Sequence, residues 1–224
     1  MIRKSISLPL ILACAFAVAA CGQERSSELA RFDRTPKSCS ALTKSTASVI
    51  SDFAGSMYTS VGLSKVNLDE LPPTPGARDY GCDARFLAAG YPSGPPGKPA
   101  TRSINVSFKL YDSGDQVAGA KNSFQISRDA ATGKPKVSAA IPVTGIGDEA
   151  YAVDDASLSS AYTTVTFRSS NMVVTVGARG SDFGDSRLAD GAPSSELIAG
   201  VHSASEAVAH AVGTNLESIV NDNG

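Results

Sequence analysis

"TTVTFRSSNMVVTVGAR", residues 163–179, carries two runs of alternation around a three-residue break. Val165 and Phe167 alternate with Thr164, Thr166 and Arg168. Met172, Val174 and Val176 alternate with Val173, Thr175 and Arg179. Successive side chains on a strand point to opposite faces. Each run therefore predicts a half-buried strand, and Ser169-Ser170-Asn171 the turn of a hairpin. Strands of this kind need only one face covered, which fits an antiparallel sheet.

The same pattern recurs upstream. Ile104, Val106, Phe108 and Leu110 face one way, and Asn105, Ser107 and Lys109 the other. A strand is expected near Tyr80–Leu87, with Cys82, Ala84 and Phe86 inward, and a short one near Val137–Val143. "DSGD" at 112–115 is a turn with an N-cap for a helix over 115–127 that buries Val117, Ala120 and Phe124. A first helix, capped by Ser38 and ended at Gly55, carries Leu42, Val49, Ile50 and Phe53 at helical spacing. A last helix over 194–220 aligns Leu197, Val201, Val208, Val212, Leu216 and Ile219, with bends expected at Gly200 and Gly213. "LPPTPG" (71–76), "YPSGPPGKPA" (91–100) and "GSDFGDSRLADGAP" (180–193) read as loops. This order predicts an α+β fold, a twisted antiparallel sheet with helices packed on one face, in one domain over 37–224.

The amino terminus sets the expected location. Arg3 and Lys4 precede the apolar run Leu8–Ala20, which is shorter than the roughly 20 residues that span a bilayer and has the length of a signal-peptide core. It ends in Val18-Ala19-Ala20-Cys21-Gly22, small residues before a cysteine. Residues 1–20 are expected to be removed as a lipoprotein signal. Cys21 then becomes the acylated N-terminus, and residues 21–36 form a tether to the extracytoplasmic face of the cell membrane. Losing Arg3 and Lys4 leaves 18 basic against 22 acidic residues, a formal net charge of −4. That balance gives no footprint for nucleic acid.

Cys14 leaves with the signal and Cys21 is acylated. The remaining Cys39 and Cys82 then have only each other as an intramolecular partner, in a compartment where disulfides persist. The alternative is two free thiols.

"PVTGIGDEAYAV", 142–153, matches the glycine spacing of a dinucleotide loop at Gly145, Gly147 and Ala150. Such a loop must open a helix whose N-terminus meets the pyrophosphate. Here strand-like Tyr151-Ala152-Val153 comes next, and Asp148 and Glu149 put negative charge where phosphate would lie. The stretch reads as a turn, and no cofactor is expected.

His202, Glu206 and His210 succeed one another at four-residue intervals. Eight residues rotate a helix by about 80°. The three are expected to form a solvated polar face and not a metal site. Asp154 and Asp155 should point to opposite faces of a strand. No Gly-x-Ser-x-Gly elbow is present, so a non-enzymatic protein is expected. Arg168 and Arg179 are expected to share the polar face of the sheet with Thr166 and Thr175. With Asp148, Glu149 and Tyr151 they form a candidate ligand or partner surface; the other reading is a solvated strand edge protected by charge.

The lipobox, "KSCSAL" at the first helix, "YGCDARF" in the first strand, then "GIGDEAYAV" and "FRSSNMVVTV", together resemble actinobacterial cell-envelope lipoproteins built on a small domain of unknown function. They are also similar to the extracellular sensor domains of mycobacterial serine/threonine kinases. The resemblance spans roughly residues 37–220. It implies an α+β fold with a twisted antiparallel sheet, a Cys39–Cys82 bridge and a ligand-binding surface groove. Relatives often carry a tryptophan shortly after the second cysteine, where this chain has Ala84. The expected function is a membrane-anchored, non-catalytic module that binds a ligand or partner of the envelope: a cell-wall fragment, a lipid or a protein. A lipid carrier and, after it, a hydrolase of envelope polymers are the alternatives.

Overall fold

The computed structural model describes residues 28–58, 64–65, 76–131, 136–156, 160–184 and 193–222. The expected signal segment, Cys21, most of "LPPTPG" and residues 185–192 of the last loop lie outside these. Among the described residues no helix is long and apolar enough to cross a membrane.

The hairpin read from residues 163–179 lies at the centre of the sheet. Strands β6 (Ala161–Ser169) and β7 (Met172–Asp182) pair antiparallel, with Val165 opposite Val176 and Ser169 opposite Met172. The turn holds Ser170 at φ 51°. β7 also pairs with β3 (Pro99–Tyr111), and β3 with β2 (Ala77–Leu87). Beyond β6 come β5 (Glu149–Asp155) and β4 (Ile141–Val143), and beyond β2 the two-residue β1 (Ser64–Lys65). Among the described residues seven strands run in the order β1-β2-β3-β7-β6-β5-β4, every pair antiparallel.

One face of the sheet is apolar, as the alternation predicts. Ile104, Phe108, Leu110, Val165, Phe167, Val174 and Val176 have no exposed surface. Helices α1 (Ser40–Ala54) and α3 (Ser195–Thr214) cover this face, and the short α4 (Leu216–Asn221) comes after α3. Ser194 caps α3 by accepting the Leu197 N–H at 3.1 Å. Cys39 is bonded to Cys82 with a Cα–Cα distance of 5.9 Å, fixing the start of α1 over β2.

The α+β class, the single domain and the antiparallel sheet are as expected. One detail of the layering differs. Helix α2 (Gln116–Ala130), capped by Asp115, lies on the opposite face. There Ala120 and Phe124 pack with Tyr111, Tyr151, Val153 and Val173 as a second, smaller core. These four strand residues are apolar at nominally polar positions, which is why that face takes a helix.

Three further expectations are corrected. The long last helix breaks at Asn215, not at a glycine. The Asn215 side chain donates to the Ala211 carbonyl at 2.8 Å, competing with the helical ladder. Helix α1 has Cys39, not Ser38, at its N-cap. The described part of the expected tether, residues 28–36, is docked on the domain. Phe32 is buried, and Asn171 brackets its backbone, accepting from the Phe32 N–H at 3.0 Å and donating to the Phe32 carbonyl at 2.8 Å.

Candidate functional site

Between α1 and α3 lies a groove of about 540 Å³. Val49 and Phe53 of α1 form one wall, and Leu197, Val201 and Ala204 of α3 the other. Its floor is Arg102, on β3 at an inward position in line with the apolar Ile104 to Leu110. A guanidinium there must be paired and hydrogen-bonded to be tolerated. Arg102 donates to the Thr101 and Ser181 carbonyls, each at 2.8 Å, and to Asp182 Oδ1 at 2.8 Å. Its guanidinium also lies 5.7 Å from the centre of the Phe53 ring. The carboxylates of Asp52 and Glu196 complete the lining. The groove thus has apolar walls and three carboxylates against one guanidinium, an environment complementary to a basic, partly apolar ligand.

A second cluster bridges α3 and β5. His202 Nδ1 lies 2.8 Å from Asp154 Oδ1, and His202 Nε2 lies 3.3 Å from Glu206 Oε1. Thr163 donates to the same Asp154 oxygen at 2.7 Å. Burial opposes charging of the imidazole. The Asp154 hydrogen bond and the charges of Asp154 and Glu206 outweigh it, so the His202 pKa lies above its ordinary value. The expected solvated face is therefore corrected for His202, which is only about a quarter exposed. His210 is exposed, beside the 145–147 turn. Both His202 nitrogens face carboxylates, and the geometry is that of a clamp between β5 and α3. Asp154 reaches α3 while Asp155 lines a recess of about 340 Å³ on the α2 side, on opposite faces as expected. Among the described residues no group of three or more His, Cys, Asp or Glu is placed to hold a metal ion.

The candidate surface drawn from sequence is not one surface. Arg168 and Arg179 share a sheet face but sit at its two ends. Arg179 pairs with Tyr162, six residues and about 20 Å along β6 from Arg168. Arg168 is buried. It bonds Glu149 Oε1 at 2.7 Å and the Ser170 carbonyl at 2.9 Å, and Asp148 Oδ2 lies 2.9 Å away. Asp148 also accepts the Ser170 N–H at 2.7 Å. These residues lock one hairpin turn to the next. Tyr151 is buried under α2, 5.1 Å from Phe124 between ring centres, and burial raises its pKa. Arg179 is exposed and stands apart from the other four. It lies over the Tyr162 ring and donates to Ser160 at 2.9 Å.

The "TGIGD" stretch is a hairpin turn joining β4 to β5 and opens no helix. Gly147 has φ 56°, and a Cβ there would collide with the Arg168 carbonyl oxygen. Ile146, at the tip, is buried against α3 and Phe167.

Sequence reasoning does not single out the groove residues Asp52, Arg102, Asp182 and Glu196. One signal is present, a lone arginine at an inward position of the cleanest strand. No family model, no curated protein and no solved structure matches the chain.

Proposed function

We propose that the chain is a lipid-anchored, extracytoplasmic lipoprotein of the cell envelope. Its domain is a non-catalytic binding module, and the groove between α1 and α3 is its binding surface. The carrying observation is the groove: apolar walls, a fixed Arg102–Asp182 pair on the floor, and the additional carboxylates of Asp52 and Glu196. That chemistry favours a protein segment with exposed apolar side chains and a positive charge. The apolar layer between the sheet and α3 is fully buried around Val165, Val176 and Val208, which favours a surface groove over an enclosed lipid cavity. The lipobox at Val18–Cys21 supports the anchor, and the Cys39–Cys82 bridge is in keeping with an oxidising compartment.

A photo-crosslinking side chain at Ser203, on the groove, tests the reading in intact cells, with Ser113, remote from it, as control. The expected product is a polypeptide adduct at Ser203 whose crosslinked segment is basic. It should be absent at Ser113 and lost with Asp52→Lys and Glu196→Lys. A lipid or glycan adduct at Ser203, or the same adducts at both positions, overturns it.

A further inference from the structure

Helix α2 covers only part of the sheet's second face. Its footprint there is Tyr111, Tyr151, Val153 and Val173. Beyond it the face carries short polar side chains. Asn105 and Ser107 of β3 stand beside Gly177 and Thr175 of β7, and Gly177 stands beside Thr164 of β6. Asn105, Ser107, Thr164 and Thr175 are all half-buried. Two recesses border the helix on this face. One, of about 400 Å³, is lined by Gly119, Asn122, Ser123 and Ile126 of α2 and by Tyr111. The other is the recess of about 340 Å³ that holds Asp155, with Tyr162 and Thr164 of β6. Ser127 lines both, so they adjoin at that side chain. Each has the size of a small-ligand site, roughly 300–1,000 Å³.

The chemistry here is opposite to that of the α1/α3 groove, which carries Asp52, Arg102, Asp182 and Glu196. Among the described residues lining the two recesses, Asp155 alone is charged. The others offer hydroxyls, an amide, tyrosine rings and small apolar groups. Serine and threonine hydroxyls and the asparagine amide all both donate and accept hydrogen bonds. Among the described residues, the side chains of Asn122, Ser123, Ser127 and Thr164 bond no other protein group, which leaves them to a ligand. Apolar contact is supplied beside them. Ile126 is 60 % exposed. Gly119 puts no side chain over the Tyr111 ring, where a Cβ would stand 3.1 Å from it. At the other end Tyr162 is held in place. Its hydroxyl is hydrogen-bonded with Asn105, and the Arg179 guanidinium lies 5.9 Å from its ring centre. Asn105 and Tyr162 close over Gly177, where any Cβ would strike the Asn105 Oδ1.

We propose that the two recesses beside α2 form a second binding site, for a neutral oligosaccharide. A sugar ring has hydroxyls that donate and accept at its edge and apolar C–H faces, the complement of this lining. An anionic polymer would find no cluster of cations in it, and a basic segment finds its carboxylates in the groove instead. The site stands independently of the lipid anchor and of the groove's occupant.

The test uses the full chain, isotope-labelled in a sugar-free detergent, titrated separately with chitotetraose, maltotetraose and mannotetraose to their solubility limits. At least one is expected to shift the backbone amide NMR signals of Ser123, Ser127, Tyr162 and Thr164 saturably, while those of Val49, Phe53 and Ser203 in the groove stay still. Ser127→Arg, at an exposed helix position shared by the two recesses, should weaken that binding at least about tenfold with an unchanged urea midpoint. Thr164→Val keeps the shape and removes one hydroxyl, and should weaken it about threefold or more. The proposal is overturned if none of the three sugars shifts these amides, or if the shifts gather in the α1/α3 groove. Binding that both variants leave intact overturns it equally.

Discussion

Asn171 and Phe32 are bonded in both directions across 139 residues of chain. The Asn171 Oδ1 accepts the Phe32 N–H, and its Nδ2 donates to the Phe32 carbonyl. The same amide accepts from Arg31 at 3.2 Å and donates to the Tyr111 carbonyl at 2.9 Å, and Asn171 is fully buried. Removing it strands several buried backbone groups, each costing about 1–3 kcal/mol. Asn171→Ala should destabilise the domain by about 2–4 kcal/mol and release the amino-terminal segment. Asn171→Asp should not rescue it, because a carboxylate cannot donate to Phe32 and Tyr111. Hydrogen exchange at Arg31 and Phe32, alongside urea unfolding, checks this. Protection of Phe32 that persists in Asn171→Ala would show that other contacts hold the segment.

Gly147 occupies a position that no other residue fits. Its φ of 56° is costly for any L side chain, and the Arg168 carbonyl stands where a Cβ would go. The Asp148 N–H donates to that carbonyl at 2.8 Å, so the two turns cannot separate without losing the bond. Gly147→Ala should cost at least about 2 kcal/mol from the backbone conformation and the clash together. The expected readout is a lower urea midpoint with an unchanged slope. A midpoint equal to the native one would show that the turn moves freely.

The elements legible in the sequence are those governed by local pattern. Alternation identifies β3, β6 and β7, and Asp115 marks the start of α2 with Val117, Ala120 and Phe124 as its buried side. The glycine turn is legible from the strand after it, since a strand cannot offer a helix N-terminus to phosphate. What escapes the sequence depends on pairings distant along the chain. Phe32 lies in a polar stretch that reads as a tether until Asn171, far along the chain, meets its backbone. Arg168 reads as a surface residue because alternation assigns its face but not what the neighbouring hairpin folds over it. Tyr151, Val153 and Val173 signal a second apolar layer, but against the dominant alternation they read as incidental. The groove leaves a single trace, Arg102 on an inward position, and the His202–Asp154 contact leaves none, because helix and strand are joined only by the fold.

The Cys39–Cys82 bridge closes a loop of 43 residues and joins the start of α1 to the middle of β2. In the chain-entropy model a loop of that size is worth roughly 4 kcal/mol. Cys82 is fully buried and Cys39 nearly so. The double variant Cys39→Ala, Cys82→Ala should therefore lose about 4 kcal/mol of stability. The β6–β7 hairpin, held in the centre of the sheet, should keep more of its exchange protection than α1. Denaturant titration with exchange mass spectrometry measures both. Loss of protection spread evenly over sheet and helix would mean that the bridge stabilises the whole domain and not the docking of α1.

The His202 clamp gives the domain a pH dependence whose sign is set by its partners. The groups facing the imidazole are Asp154 on β5 and Glu206 on its own helix, both acidic. Its pKa is raised on folding, against the opposing effect of burial. A group raised in this way contributes its full stability below the unfolded value, about 6.5 for histidine, and loses it as pH rises through the folded value. In the neutral imidazole one nitrogen keeps a proton and the other turns a lone pair toward a carboxylate, so one of the two contacts is lost. The stability difference between the native chain and His202→Ala should thus be largest near pH 5, about 1.5 kcal/mol for a charge-assisted hydrogen bond, and shrink toward pH 8.5. Unfolding free energies of both chains across that range, with the His202 ring proton followed by NMR, test it. A difference that is constant with pH, or that grows as pH rises, would show that His202 is held as the neutral ring and that the clamp is an ordinary hydrogen bond.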